Sequence, residues 1–385
     1  MSYLKDFCEI ITKGTTPSTY GYSFKNSGIK FIRSENITDS RIISKVSLYI
    51  SKEANEKLKR SILLKDDVLM SIAGAYLGKL ALITEMDLPA NTNQAVAIIR
   101  TDKSKLSPLY LYYYLSSYKM QCYINNVNAQ SAQPNINLQQ IGDININVPN
   151  LNYQQHIVDI IGSLDDKIEN NNKIIEKLQR KIDFIFNQFY NNMLESNIFI
   201  KYKLKEYAKK IITGTTPSTK EDKYWGNSID FITIPDMRDN VYILDTIRKL
   251  STECEKNFNN RIVPKNSIAI SCIATVGLVS IIPHNAITNQ QINSVIFNDE
   301  NDCYYFYELF KTMKENLIKL GSGGSATLNI NKNIFSNIEV IVPYKNEMEQ
   351  FCKKTSSLFE LILSLTKENT KLNDLKQLYL KKFFG

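Results

Sequence analysis

The residues best suited to chemistry occur twice in this chain of 385 residues, as Gly14-Thr15-Thr16-Pro17-Ser18-Thr19 and Gly214-Thr215-Thr216-Pro217-Ser218-Thr219. Each block sets a cluster of hydroxyls behind a glycine that permits a tight turn. Hydroxyls and exposed backbone N–H groups in such a turn can hold phosphate oxygens. An ordinary capped turn fits the same residues, and it would be duplicated just as readily. Further along, Arg33-Ser34-Glu35-Asn36 and, in the second occurrence, Thr233, Asp236 and Arg238 follow a β-branched run. These are side-chain types that read base edges. They differ between the two occurrences while the residues around them are kept, which favours a reading role over a solvated strand end. Asn93-Gln94 and Asn289-Gln290 offer amides for adenine edges or ties for loop backbone, and both readings stand. Tyr76, in the loop 74–80, joins the candidates.

Other chemistries are excluded by what their motifs lack. Gly74-Ala75-Tyr76-Leu77-Gly78-Lys79-Leu80 is one residue short of a phosphate loop, and Leu80 stands where Ser or Thr should bind magnesium. The glycine-rich run 321–326 matches a dinucleotide fingerprint in letters only, because it follows a predicted helix rather than a strand. No Asn/Asp-Pro-Pro-aromatic methyltransferase motif is present. Asp165-Asp166-Lys167 and Glu221-Asp222-Lys223 match only the short end of a nuclease signature and read as solvated charge. Two isolated histidines, His156 and His284, and six scattered cysteines argue against zinc, a disulfide framework and a nucleophilic triad. The cysteines are expected to be reduced and mostly buried, and no active site is identifiable.

The elements that must position these residues are themselves repeated. From GTTPST the two halves stay in register: Ile29–Arg33 answers Ile229–Thr233, Asp67–Ser71 answers Ser267–Ser271, and Asn93-Gln94 answers Asn289-Gln290. The offset drifts from 200 (214 − 14) through 196 (289 − 93) to 194 (329 − 135), the mark of small loop deletions in a collinear duplication. Tyrosine-rich segments follow, then Ser131, Asn135 and Asn137 against Ser325, Asn329 and Asn331. In the first copy, strands are expected at 29–33, 67–72, 80–84 and 95–99, a helix at 106–123 and a closing strand at 145–148. The tyrosines 110, 112, 113 and 114 sit at helical spacing and read as packing rather than base stacking.

Each copy ends in a long heptad run. Ile157, Ile161, Leu164, Ile168, Asn171, Ile175, Leu178, Ile182, Ile185 and Phe189 alternate steps of four and three, the seam of a coiled coil. Phe351, Thr355, Leu358, Ile362, Leu365, Asn369, Leu372, Lys376, Tyr379 and Phe383 repeat it 194 residues later (351 − 157). Pairing of the two runs explains both better than separate covering of neighbouring domains. The polar Asn171 would fix register, and the second run carries its Asn at a different level. The expected class is α+β, with two homologous mixed α/β domains, each followed by a long helix, the helices pairing as an antiparallel coiled coil. The expected divisions are 1–150, 151–194, 195–344 and 345–385.

The apolar content of 43%, charged content of 22% and net charge of +8 suit a globular protein and permit a polyanionic partner. No signal-like start or long apolar run occurs, so a cytoplasmic location is expected, away from the membrane.

The arrangement resembles the specificity subunit of type I restriction-modification systems. The opening Gly-x-Thr-Pro-Ser, Tyr224-Trp225, and Ile229, Phe231 and Asp236-Met237 are similar to the start of that family's target recognition domain. Val148-Pro149-Asn150-Leu151 with Gln154 is similar to its Pro-Pro-Leu-x-x-Gln junction, with Asn150 in place of the second proline. The resemblance implies a non-catalytic subunit that binds double-stranded DNA, each domain reading half of a bipartite asymmetric target while the helices act as spacer. It further implies two modification subunits that bind S-adenosylmethionine and methylate adenine, joined by restriction subunits; this chain would bind no cofactor. A coiled-coil adaptor whose repeated domains bind protein or carbohydrate is the competing expectation.

Overall fold

Short β-branched runs become strands here, and central ones such as Val68–Ser71 and Ser267–Ser271 are buried on both faces. A computed structural model describes residues 2–38, 41, 43, 46–127, 134–322 and 328–385, and the chain divides into two units, Met1–Glu169 with Lys371–Gly385, and Asn170–Thr370. In the first unit the strands are β1 (Cys8–Lys13), β2 (Ile29–Ile32), β3 (Tyr49–Ile50), β4 (Val68–Ser71), β5 (Leu80–Leu82), β6 (Ala90–Thr92) and β7 (Val96–Thr101). One antiparallel sheet runs β1-β7-β4-β5, and a second runs β3-β2-β6 with β2 and β6 parallel. Side chains alternate across the four-stranded sheet. Val68, Met70, Ala97 and Ile99 face one core, while Leu69, Val96 and Ile98 face another. Burial on both faces is why these strands read as continuous apolar runs rather than alternating ones.

The second unit repeats the plan with β8 (Phe199–Lys203), β9 (Lys210–Thr213), β10 (Trp225–Ile232), β11 (Arg248–Leu250), β12 (Ser267–Ser271), β13 (Val279–Ile282), β14 (Ala286–Thr288), β15 (Ile292–Ile296) and β16 (Glu339–Pro343). Its sheets run β13-β12-β15-β9 and β11-β10-β14, matching those of the first unit strand for strand. The two-stranded pairing β16-β8 is additional. The expected first-copy strand at 145–148 is reduced to one bridge, Tyr3 to Asn145. The expected helix 106–123 is two helices, Pro108–Ser116 and Tyr118–Asn126, because Ser117 adopts an extended conformation (φ −64°, ψ 148°) and caps the break. Tyr110, Tyr112 and Tyr113 are buried in the core against this sheet.

The long helices run Leu151–Glu195 and Lys345–Phe384. Within the second unit they pair antiparallel. The rings of Phe189 and Phe351 lie 5.1 Å apart, and Asn171 Nδ2 donates to Asn369 Oδ1 at 2.9 Å. Both helices advance 18 residues between those two contacts (189 − 171 and 369 − 351), so the register is unbroken. The two seam asparagines therefore meet. Their different levels, counted from each helix start, are the condition for facing each other once one helix is reversed. Ile175, Leu178, Leu358 and Ile362 pack in the same core. Within the first unit, Ile157 and Ile161 share a core with Leu380 and Phe384. Leu164, Ile168, Leu365 and Leu372 are half-buried along the seam.

Charge on these helices corrects one expectation. Asp165 is not solvated: Lys376 Nζ donates to it at 2.7 Å and the Tyr113 hydroxyl at 2.8 Å, and all three side chains are buried. Asp166 and Glu169 hold Arg41, at 2.6 and 2.9 Å. The buried Asp165–Lys376–Tyr113 set ties the helix to its domain through groups that cannot be left unpaired. Glu221-Asp222-Lys223 does remain at the surface, where Lys223 reaches Glu221 at 3.3 Å. Of the six cysteines, all free, Cys254, Cys272, Cys303 and Cys352 are buried and Cys8 and Cys122 half-buried.

Candidate nucleic-acid interface

Strand pairing alone gathers the candidate loops. In the first unit Lys13, at the end of β1, pairs with Ala97, and Ser71, at the end of β4, pairs with Val96. Ile32, at the end of β2, pairs with Thr92 of β6. The segments leaving β1, β2 and β4 thus converge on the turn 93–95 between β6 and β7. That one edge carries Thr15, Thr16, Ser18, Thr19, Arg33 and Tyr76 beside Asn93 and Gln94. In the second unit Thr213 pairs with Asn293, Ser271 with Ile292, and Ile232 with Thr288, which builds the same edge around Asn289 and Gln290.

The glycine of each GTTPST block is required by this convergence. A Cβ on Gly14 would lie 1.9 Å from the Thr92 carbonyl oxygen, and one on Gly214 2.1 Å from that of Asn289. No side chain fits there, so the loop backbone lies directly against the turn. Thr215 N–H donates to Thr288 O at 2.8 Å and seals the contact. In both units the second threonine then donates to a glutamine across the gap: the Thr16 hydroxyl to Gln94 Oε1, and the Thr216 hydroxyl to Gln290 Oε1.

The amide pairs divide their roles. Asn93 Oδ1 accepts from Ala95 N–H at 3.2 Å, and Asn289 Oδ1 from Gln291 N–H at 3.1 Å. These asparagines tie down the turn, while Gln94 and Gln290 are exposed. A similar division occurs after β2 and β10. Asn36 is buried, with its Oδ1 accepting from Arg33 N–H at 2.9 Å. Asp236 is buried, accepting from Thr233 N–H at 2.7 Å and Thr233 Oγ1 at 2.6 Å, and from Ile247 N–H at 3.0 Å. Asn36, Thr233 and Asp236 therefore hold the turn together. Arg33 and Ser34 (half-exposed) and Glu35 and Arg238 (exposed) remain available there, Arg33 ion-paired with Glu35.

Two arginines come to these edges without any signal in the sequence. Arg60 Nη2 lies 3.5 Å from Thr15 Oγ1, and Arg261 Nη1 donates to the Thr213 carbonyl at 3.0 Å. They arrive from 45 and 48 residues away and do not occupy equivalent positions, since the residue matching Arg60 is Asn260. Beside the second edge Arg248 stacks on Trp225, its guanidinium carbon 4.7 Å from the ring centroid, while Trp225 Nε1 donates to Ser218 O at 3.2 Å. Lys79 lies 5.7 Å from the ring of exposed Tyr76.

No metal-binding group of three or more His, Cys, Asp or Glu occurs among the described residues. Nor, among them, is any helix long and apolar enough to cross a membrane. Most of the glycine-rich run 321–326, together with Ser131 and Ser325, lies outside the described residues.

Comparison with known proteins agrees with this duplicated architecture. The family described as type I restriction modification DNA specificity domain matches twice, at residues 1–180 and 199–377. The specificity subunit of the type I restriction enzyme HindI of Haemophilus influenzae is 31% identical over 324 residues, covering 66% of this chain and 71% of that protein. The putative type I restriction enzyme MjaX specificity subunit of Methanocaldococcus jannaschii is 25% identical over 97% of this chain and 90% of that protein. Among solved structures, the S subunit of a type I restriction-modification system from M. genitalium shares the fold, with TM-score 0.58 at 13% identity over 100% of this chain and 95% of that one. The chain belongs to the family of type I restriction-modification DNA specificity subunits.

Proposed function

We propose that each unit reads one half of a bipartite, asymmetric target in double-stranded DNA and that this chain catalyses nothing itself. The long helices act as spacer and as the docking face for two modification subunits, which bring S-adenosylmethionine and methylate adenine, and for restriction subunits. The work is cytoplasmic, and the working division of the chain is 1–150, 151–194, 195–344 and 345–385. One observation carries the reading: the same loop edge is built twice on the same strand order, yet the side chains it leaves at least half-exposed differ, Arg33, Ser34 and Glu35 in one unit and Arg238 in the other. A framework kept with variable tips suits two half-sites of different sequence. The names of its relatives, specificity subunits of type I restriction enzymes, support the same view.

The test is methyl transfer to a random-sequence DNA library by the co-purified modification subunit and this chain, separately and together. Site-specific methylation only in the mixture, at a two-part asymmetric motif, is expected. Methylation unaffected by this chain would move the protein- or carbohydrate-binding adaptor to first place. The spacer role has its own test, insertion of four residues, about one helical turn, within 170–177. The preferred gap should change with both half-sites kept; altered half-sites at an unchanged gap would contradict it.

A further inference from the structure

The Thr–Gln pair is shared by both units, whereas the side chains around it are not. A group that serves two different half-sites must contact what they have in common, and the common feature of all DNA is the phosphodiester backbone. The geometry fits that ligand. The threonine hydroxyl donates to Gln Oε1 on an exposed side chain, which leaves the two N–H donors of the Gln94 or Gln290 amide for a ligand. Neither the GTTPST blocks nor the facing stretches 92–95 and 288–291 contain a carboxylate that would repel an anion. Each unit also brings an arginine to this loop, Arg60 beside Thr15 and Arg261 beside Thr213, from non-equivalent positions. Both arginines come from the matching turns Lys59–Ser61 and Asn259–Arg261, one residue out of step, so a positive charge is kept beside this loop although the position that carries it has shifted.

We infer that Thr15, Thr16, Gln94 and Arg60 in the first unit, and Thr215, Thr216, Gln290 and Arg261 in the second, each form a seat for one backbone phosphate. The seat fixes the domain's position on the duplex and leaves base reading to the residues that differ. This rests on the DNA-specificity reading above and assigns to the glutamines a role that base readout would otherwise claim.

The test uses the full chain with its co-purified modification subunits, the Gln94→Glu and Arg60→Ala variants, and a random double-stranded DNA library. Glutamate still accepts the Thr16 hydroxyl, so the turn is kept while a donor becomes an anion. Arg60 is exposed, so its loss leaves the fold intact, as thermal melting would verify. Removing one phosphate contact should weaken binding about eightfold at roughly 0.1 M salt and lower the salt-dependence slope by about 0.9. That loss should be equal for all sequences, with the selected motif unchanged. A changed base preference in one half-site would overturn the seat while leaving the DNA-specificity reading standing. Unchanged affinity would overturn it too, reducing the pair to a staple for the turn. If the wild-type assembly selects no DNA at all, both readings fall.

Discussion

The facing asparagines of the helix seam permit a quantitative prediction. Asn171 is fully buried and Asn369 9% exposed. Asn171 Nδ2 donates to Asn369 Oδ1 at 2.9 Å and to Glu368 Oε2 at 2.8 Å, while Asn369 Nδ2 donates to Asn172 Oδ1 at 2.8 Å. Asn171 Oδ1 has no partner among the described residues. Replacing Asn369 by Leu removes one acceptor from a buried amide and an outer bond to Asn172. The cost of the orphaned donor is about 1–3 kcal/mol, and part of it is offset by the apolar surface that leucine adds. Asn171→Leu orphans Asn369 in turn, yet also deletes an oxygen that was already unsatisfied, so its net cost should be the smaller. The double variant leaves no orphan on the seam and should be as stable as the wild type or more so, because replacing both partners of a buried polar pair by apolar groups is close to neutral. The coupling between the two changes should therefore fall at about 1–3 kcal/mol. Calorimetric or circular-dichroism melting of the four proteins measures it, each kcal/mol moving the transition by about 2–4 °C for a unit of this size. A double variant that melts as low as the two single losses added together would refute the pairing. The double variant should also tolerate a broader range of DNA gaps, since one polar contact that penalises a slipped register is gone while Lys376–Asp165 remains.

Two other expectations concern pH and packing. Burial raises Glu308 from 4.5 to about 8 against the opposing pull of Lys311, with Asp183 adding to the rise. Its carboxyl is neutral in the folded state where the unfolded chain has already ionised, so its contribution is complete below about pH 4.5, declines as pH rises and is gone above about pH 8. Glu308→Gln should therefore gain melting temperature relative to wild type between about pH 5 and about pH 8, and a pH-independent difference would count against this environment. Gly14→Ala should destabilise the first unit by about 1–3 kcal/mol in thermal melting, because its Cβ meets backbone rather than a movable side chain; a neutral effect would contradict the close approach on which the loop edge depends.

What the sequence determined by itself was periodic or repeated. The duplication, the strand runs and both heptad seams were legible because burial imposes a period, and a period survives in one dimension. Even the antiparallel register was implicit, since Asn171 and Asn369 stand at mirrored places in their runs and meet only when one helix is reversed. Tertiary structure alone decided which polar residues are structural and which are presented. Asn36 and Asp236 look like reading residues in sequence, and the structure adds that both hold local caps; a cap depends on backbone angles that letters do not carry. Asp165 looks solvated until Lys376 and Tyr113 reach it from 211 and 52 residues away. The charge at the loop edge, from Arg60 and Arg261, was invisible for the same reason: contacts between distant segments leave no spacing to read, and chain closure in three dimensions is what creates them.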